Sequence, residues 1–382
     1  MKPVSNMKYY KHNKGRLLLL VIPLLLSVIL LHTVYMIINS YYSVQYNAFV
    51  ETRKHYSSIQ ARGSLIKSEI LTSIETHEDT NKVVPCVLGY TEIESVLSTV
   101  GVRVYLLYQN DLREFMDKMN LEVAAGRLPD PGKNEIILHE NIIKNKNLTI
   151  GDAIGSDITA KEKLSGRYRI VGTLKGKALA GFASLEEWKE ENVVSNPEQY
   201  GVLIYAKEGR LDSLNRYLSY LPLTGNDLSS YSNSWSDFTE SSESIYLLLN
   251  VIYGSVLIIV SVCLGFLTYL FYHGRLKEFA ILNVIGYSRQ TIILRNISEV
   301  LVLNLLSAIS GILCSIIIGL VLNQTVFKVK GTPLALFDSK AIVLSLCIPM
   351  LCIIVQTVSI GISFSKKIDI VGVIEMEDGG AM

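Results

Sequence analysis

Hydrophobic and polar positions divide this chain into two textures. Four apolar runs, residues 17–39, 245–272, 296–323 and 341–364, each exceed the ~20 residues that an α-helix needs to cross a bilayer. Their only Asp, Glu, Lys or Arg is Glu299, near the start of the third run. They predict transmembrane helices TM1 to TM4. Residues 40–244 alternate instead. Tyr42, Tyr46, Phe49, Tyr56 and Ile59 recur at helical spacing, with Arg53 in the vacant position. This predicts a helix continuing out of TM1, either as a stalk or as an ordinary packed helix. VVPCVLG and GVRVYLLY read as strands, with TEIESVLSTV between them as a helix. DLREFMDKM reads as a helix with Asp111 as its N-cap. NEIIL and YRIVGTL read as strands set off by glycine and proline. YGVLIYAK then reads as a strand, and LDSLNRYLSYL as a helix capped by Asp212. Strand–helix pairs flank a more β-rich middle, which predicts two subdomains, the second inserted into the first. A serine-rich stretch, 228–244, leads back to the membrane.

The expected fold class is a polytopic α-helical membrane protein with four transmembrane helices and a large α/β extracytoplasmic domain between helices 1 and 2. Its segments are a cytoplasmic N-terminus (1–16), TM1 (17–39), the extracytoplasmic domain with stalk helices at both ends (40–244) and TM2 (245–272). A cytoplasmic helical segment (273–295), TM3 (296–323), a short external loop (324–340), TM4 (341–364) and a cytoplasmic tail (365–382) complete it. Composition agrees: 49% of residues are hydrophobic and 19% charged, against about 25% charged in an ordinary soluble chain. The first run is too long for a signal-peptide core, and NSYYSVQY offers no small-x-small cleavage site, so the span is expected to be retained.

Charge gives the orientation. Lys2, Lys8, Lys11, Lys14 and Arg16 precede TM1; Arg275, Lys277, Arg289 and Arg295 follow TM2 against Glu278 alone; Lys366 and Lys367 follow TM4. The positive-inside rule therefore predicts cytoplasmic N- and C-termini. The 324–340 loop resists, with Lys328, Lys330 and Lys340 against Asp338 on the outer side. Segment 40–244 carries 22 Lys and Arg against 28 Asp and Glu, a net of −6, and the rest of the chain +7. That acidity would favour cationic substrates or serve as a solvated surface. No basic, aromatic-studded surface supports a nucleic-acid partner. Of five cysteines only Cys86 lies in this segment, so the domain must fold on its own core without an internal disulfide.

Several chemistries lack their residues. No G-x-x-x-x-G-K-[ST] loop is present to cradle nucleotide phosphates. HENII begins like a zinc-protease helix, but the second histidine position is Ile143; HEDT at His77 lacks further ligands, so no metal site is expected. GYSRQ fails the nucleophile-elbow pattern at Gln290. The spans lack ionisable groups at depth, which argues against an ion-coupled pump. His32, near the outer end of TM1, is either a buried polar contact or interfacial. Asn147-Leu-Thr is a glycosylation sequon, meaningful only in a eukaryotic secretory route. No catalytic residue is expected.

Small residues recur every fourth position at Ser307, Gly311, Ser315 and Gly319 in TM3, and at Ser261 and Gly265 in TM2. They predict close helix packing, either within one bundle or between subunits. RLKEFAILNVIGYSRQTI, 275–292, joins TM2 to TM3. Leu276, Phe279, Ala280 and Asn283 share a stripe with Leu282 and Ile285 adjacent. Gly286 suits a helix end, and Ser288 can cap the next helix. This short helix either docks a partner or merely anchors the loop at the interface.

Arg-x-Lys-Glu-Phe-Ala-Ile-Leu-x-x-Ile-Gly-Tyr-Ser resembles the signature after the second span of FtsX/MacB-type ABC transporter permeases, of type VII architecture. GRLPDPGKNEIILHENIIKNKNLTIGDAIG and YRIVGTLKG resemble the family's external-domain motifs, in the same order. The glycine-spaced third span and the terminal KKIDIVGVIE are similar as well. Tyr287, Asn283 and Val371 depart from the family's usual small residue, arginine and proline, which bears on the details of ATPase docking.

The resemblance implies a MacB-like external domain with a porter-like subdomain, an FtsX-like transmembrane domain, and a dimer with a second permease copy or a sister permease. It implies a cytoplasmic ABC ATPase dimer as a separate chain holding ATP and Mg, with no cofactor in this chain. Arg275, Lys277, Glu278, Ile281, Gly286 and Tyr287 would form the ATPase-coupling element. Lys277 or Glu278 would pair with the ATPase. Other implied partners are membrane lipids and an extracellular accessory protein, in a bacterial plasma membrane. Function is then export or extraction of a peptide, antibiotic, toxin or lipid-linked substrate by mechanotransmission. The alternatives are a non-transporting regulator that passes force to a cell-wall hydrolase, or an anchored receptor without an ATPase.

Overall fold

The computed structural model describes residues 14–160 and 162–365. The basic residues before 14 and the tail from 366, with its KKIDIVGVIE motif, lie outside the described residues. Four helices are long and apolar enough to cross a membrane: α1 (Lys14–Phe49), α7 (Tyr231–His273), α9 (Arg289–Leu322) and α10 (Ser339–Ser365). An α/β domain lies in the chain between the first two. The chain divides into two compact units: residues 38–245 with 323–334, and the membrane-helix segments.

In the first unit, β1 (Ser57–Ala61), β2 (Thr80–Pro85), β10 (Gly201–Ala206) and β11 (Asn226–Ser229) form an antiparallel sheet in the order β11-β1-β10-β2. Helices α2 (Ser68–Glu75) and α6 (Leu211–Tyr220) turn Ile70, Leu71, Ile74, Leu214 and Leu218 onto Ile59, Val202 and Ile204. The second sheet is inserted in sequence between β2 and β10. It comprises β3 (Val87–Glu94), β4 (Thr99–Leu107), β5 (Glu122–Gly126), β6 (Glu135–His139), β7 (Ala153–Ile154), β8 (Tyr168–Lys175) and β9 (Ala180–Ser184). Its order is β3-β4-β9-β6-β8-β5, with β7 on β8. The expected insertion of a β-richer subdomain is thus the observed connectivity. Helices α3 (Gln109–Lys118), α4 (Glu140–Lys146) and α5 (Leu185–Glu191) complete it. Tyr56, Tyr105, Phe115, Phe182 and Tyr205 gather in one core shared by both sheets, and the Tyr56 and Tyr105 hydroxyls lie 2.5 Å apart.

Three local expectations are corrected. The helix leaving TM1 ends at Phe49, so Tyr56 and Ile59 are not on it. Ile59 is instead in β1, where ladders to both β10 and β11 override the helical spacing. TEIESVLSTV is no helix: Thr91–Glu94 ends β3 and residues 95–98 turn into β4. The period-two pattern of buried Thr91 and Ile93 against the glutamates is that of a strand with one covered face. Asp111 and Asp212 do not cap; they sit in first turns behind Tyr108 and Arg210, and Asp111 receives Lys82 Nζ at 2.7 Å.

The GRLPDPGKNE segment is closed by a fork. Arg127 donates to both Glu135 carboxylate oxygens at 2.6 and 2.7 Å, and the Asp130 N–H adds a third bond at 2.9 Å. Arg127 holds the Glu135 carboxyl below its usual range. Gly126, at φ +77°, lies against the Val171 carbonyl where no Cβ fits.

The loop after α9 belongs to the same unit as the α/β domain. Asn145 donates to the Lys330 carbonyl at 2.8 Å, and Gly331 packs on the Asn141 backbone. Lys330 Nζ stands 4.0 Å from Glu94. One cation of this basic loop thus meets a carboxylate of the domain.

Candidate coupling site

The predicted coupling segment resolves into α8 (Leu276–Val284), a turn, and the start of α9. Arg275 stands at the N-cap position of α8 and is buried. Its Nε donates to Glu278 Oε2 at 2.9 Å, and its guanidinium carbon lies 5.6 Å from the Phe271 ring centre and 5.2 Å from that of Phe279. This is a cation–π sandwich that ties the end of α7 to the first turn of α8. Arg275 therefore faces inward, and Glu278 is held within the chain. Lys277 occupies the first turn of α8.

The far end is set by Gly286. At φ +104° it takes the left-handed geometry that lets the Gly286 N–H reach the Asn283 carbonyl (3.0 Å) and the Tyr287 N–H the Leu282 carbonyl (3.1 Å). Ser288 Oγ accepts from the Thr291 N–H at 3.3 Å and so caps α9. Phe279 packs with Tyr272, Ile292, Val300 and Ile360, and Tyr287 and Leu282 flank that cluster.

One expectation about the faces changes. Phe279 and Ala280 are buried as read, but Asn283 and Ile285 are exposed. Ile281, Val284 and Ile285 form an outer apolar face, 60%, 68% and 68% exposed. Sequence reasoning did not single out Val284. The signal was present: 281, 284, 285 and 288 are spaced as the helix face opposite Phe279.

The small-residue stripe of α9 meets α1. A Cβ on Gly311 would stand 2.9 Å from Val28 Cβ, and one on Gly319 3.1 Å from Met36 Cε. Ser315 Oγ is 2.7 Å from His32 Nδ1, so His32 is a buried polar contact. Ser307 donates to the Leu303 carbonyl. Gly265 sits against Val355 and Ser359, and Ser261 against Cys352, joining α7 to α10. Asn304 Nδ2 donates to Gln356 Oε1 at 2.7 Å between α9 and α10.

No curated protein matches this chain. Among solved structures, the periplasmic region of MacB from Actinobacillus actinomycetemcomitans is similar at 10% identity, over 50% of this chain and 95% of that one, with a TM-score of 0.31. The extracellular domain of the noncanonic ABC-type transporter YknZ from Gram-positive bacteria is similar at 12% identity, over 42% and 88%, with a TM-score of 0.28. Residues 250–368 match the model of the FtsX-like permease C-terminal region, a span that takes in the later part of α7 and all of α8, α9 and α10. Over that region, about a third of its length, the chain is similar to the FtsX-like permeases.

Proposed function

We infer that this chain is the membrane subunit of an ATP-binding cassette transporter, driven by a separate ATPase that docks on α8. The observation that carries this is the outer face of α8. Ile281, Val284 and Ile285 stand exposed on a helix stapled at both ends to long apolar helices, inside the segment that matches the permease family. An apolar patch of this kind calls for a partner or lipid. The ATPase dimer would hold ATP and Mg, and its closure would push α8 as a rigid lever on α7 and α9. Motion would pass along these helices to the α/β domain of a dimeric assembly, exporting or extracting a peptide, antibiotic, toxin or lipid-linked substrate. The positive-inside rule, applied to Arg289 and Arg295 beside α8, supports a cytoplasmic α8 in a bacterial plasma membrane.

Co-purification of the detergent-solubilised chain with co-expressed candidate ATPases tests this. Wild type is expected to retain its ATPase and Ile281→Asp with Val284→Asp to lose it. A variant that still assembles in the membrane and still retains the ATPase would show that the face only anchors the helix in lipid.

A further inference from the structure

The α/β domain carries a net negative charge, yet it contains a cleft of about 720 Å³ whose lining has three arginines against two aspartates, Asp227 and Asp237. Arg53 follows α1, Arg103 is on β4, and Arg62 is at the end of β1. Arg62 pairs with Asp227 at 2.8 Å on the exposed rim. Arg53 and Arg103 are different: they are 7% and 5% exposed, and among the described residues neither has a carboxylate within 4.0 Å. Their protein partners are serine hydroxyls. Arg53 Nη1 donates to Ser234 Oγ and Arg103 Nη2 to Ser229 Oγ at 3.2 Å. The Nε of both, and Nη1 of Arg103, have no acceptor. Burying a guanidinium with donors left unsatisfied is costly, and an anion seated beside it offsets that cost.

The cleft also has an apolar side made by Phe49, Leu228 and Phe238. It lies where the ends of α1 and α7 meet the edges of both sheets. Acidic chemistry on one side and hydrocarbon on the other define the occupant. We propose that this cleft binds an oxyanion, a carboxylate or phosphate, between Arg53 and Arg103, carried on a molecule with a short apolar segment. This goes beyond the transport reading and does not depend on it, because binding here requires no ATPase.

The chain has two tryptophans, Trp188 and Trp235. Trp235 neighbours Ser234 in sequence and packs on Phe238 with ring centres 6.0 Å apart. In the Trp188→Phe background the remaining fluorescence therefore reports on the cleft. The full chain in phosphatidylcholine nanodiscs is titrated with octyl phosphate, octanoate, inorganic phosphate and octanol. A saturable change with octyl phosphate or octanoate and none with octanol is expected. Arg103→Gln and Arg53→Gln should each weaken binding about tenfold, the loss of one charge-assisted pairing. Inorganic phosphate binding as well as octyl phosphate assigns a free oxyanion, whereas binding of the chain-bearing acids alone assigns an anionic amphiphile. Equal responses to octanol and octanoate, or unchanged affinity in both arginine variants, overturn the proposal. The acid-against-alcohol comparison uses native arginines, so a variant that fails to fold leaves the test intact.

Discussion

In the α/β unit, Tyr56, Tyr105, Phe115, Phe182 and Tyr205 pack edge and face against one another in a core of large rings. In the membrane-helix unit the tightest contacts fall at glycine and serine: Gly311 on Val28, Gly265 on Val355, Ser315 on His32. Water explains the difference. Burying a ring removes apolar surface from water and drives the first unit together. Between lipid and protein that drive is absent, so helices associate by close approach at small residues and by hydrogen bonds such as Asn304 to Gln356.

The strongest way to break this comparison is to remove a ring. Phe115 touches Tyr56, Tyr105 and Phe182 and is fully buried. Phe115→Ala should destabilise the α/β unit by about 3–5 kcal/mol, read as a loss of near-ultraviolet circular dichroism at lower temperature while the membrane helices persist. A fall confined to the helices would contradict the comparison. Next, Gly311→Val inserts branches where a single Cβ already crowds Val28. It should cost about 1–3 kcal/mol, seen as earlier loss of helical signal in detergent, with the α/β unit unaffected. Gly254, which has open space around it, is the control position.

The smallest effect sharpens the comparison through pH. The folded pKa of Glu135 is depressed by Arg127, so its contribution to stability is present above the unfolded carboxyl value near ~4.3 and is lost as pH falls through the folded value. Glu135→Gln should lower the melting temperature of the α/β unit by a few degrees at neutral pH, and the gap from wild type should close in acid. A gap that stays constant down to acid pH would mean that the fork contributes by shape alone.

The limits of sequence reading show at particular residues. Ile93 and Glu94 belong to a period-two pattern only four residues long, too short to outweigh the helical texture of TEIESVLSTV until β4 pairs with it. Ile59 fitted a helical stripe equally well; two neighbouring strands decided otherwise. Asp111 had the right chemistry for a cap but faces Lys82, a partner 29 residues away. In the coupling segment, Gly286 and Ser288 were legible because their signals are local and stereochemical. The inward turn of Arg275 was not, since it depends on where Phe271 and Phe279 come to lie.

By itself the sequence determined the four spans, the insertion of one subdomain in the other and the break at Gly286, because length, period and backbone freedom are properties of neighbours along the chain. Only the tertiary structure decided which face of α8 is left bare, which helices the small-residue stripes meet, and that Arg53 and Arg103, 50 residues apart, line one cleft without a carboxylate partner. Those outcomes rest on contacts between distant segments, where charge and packing are set by what the fold brings near.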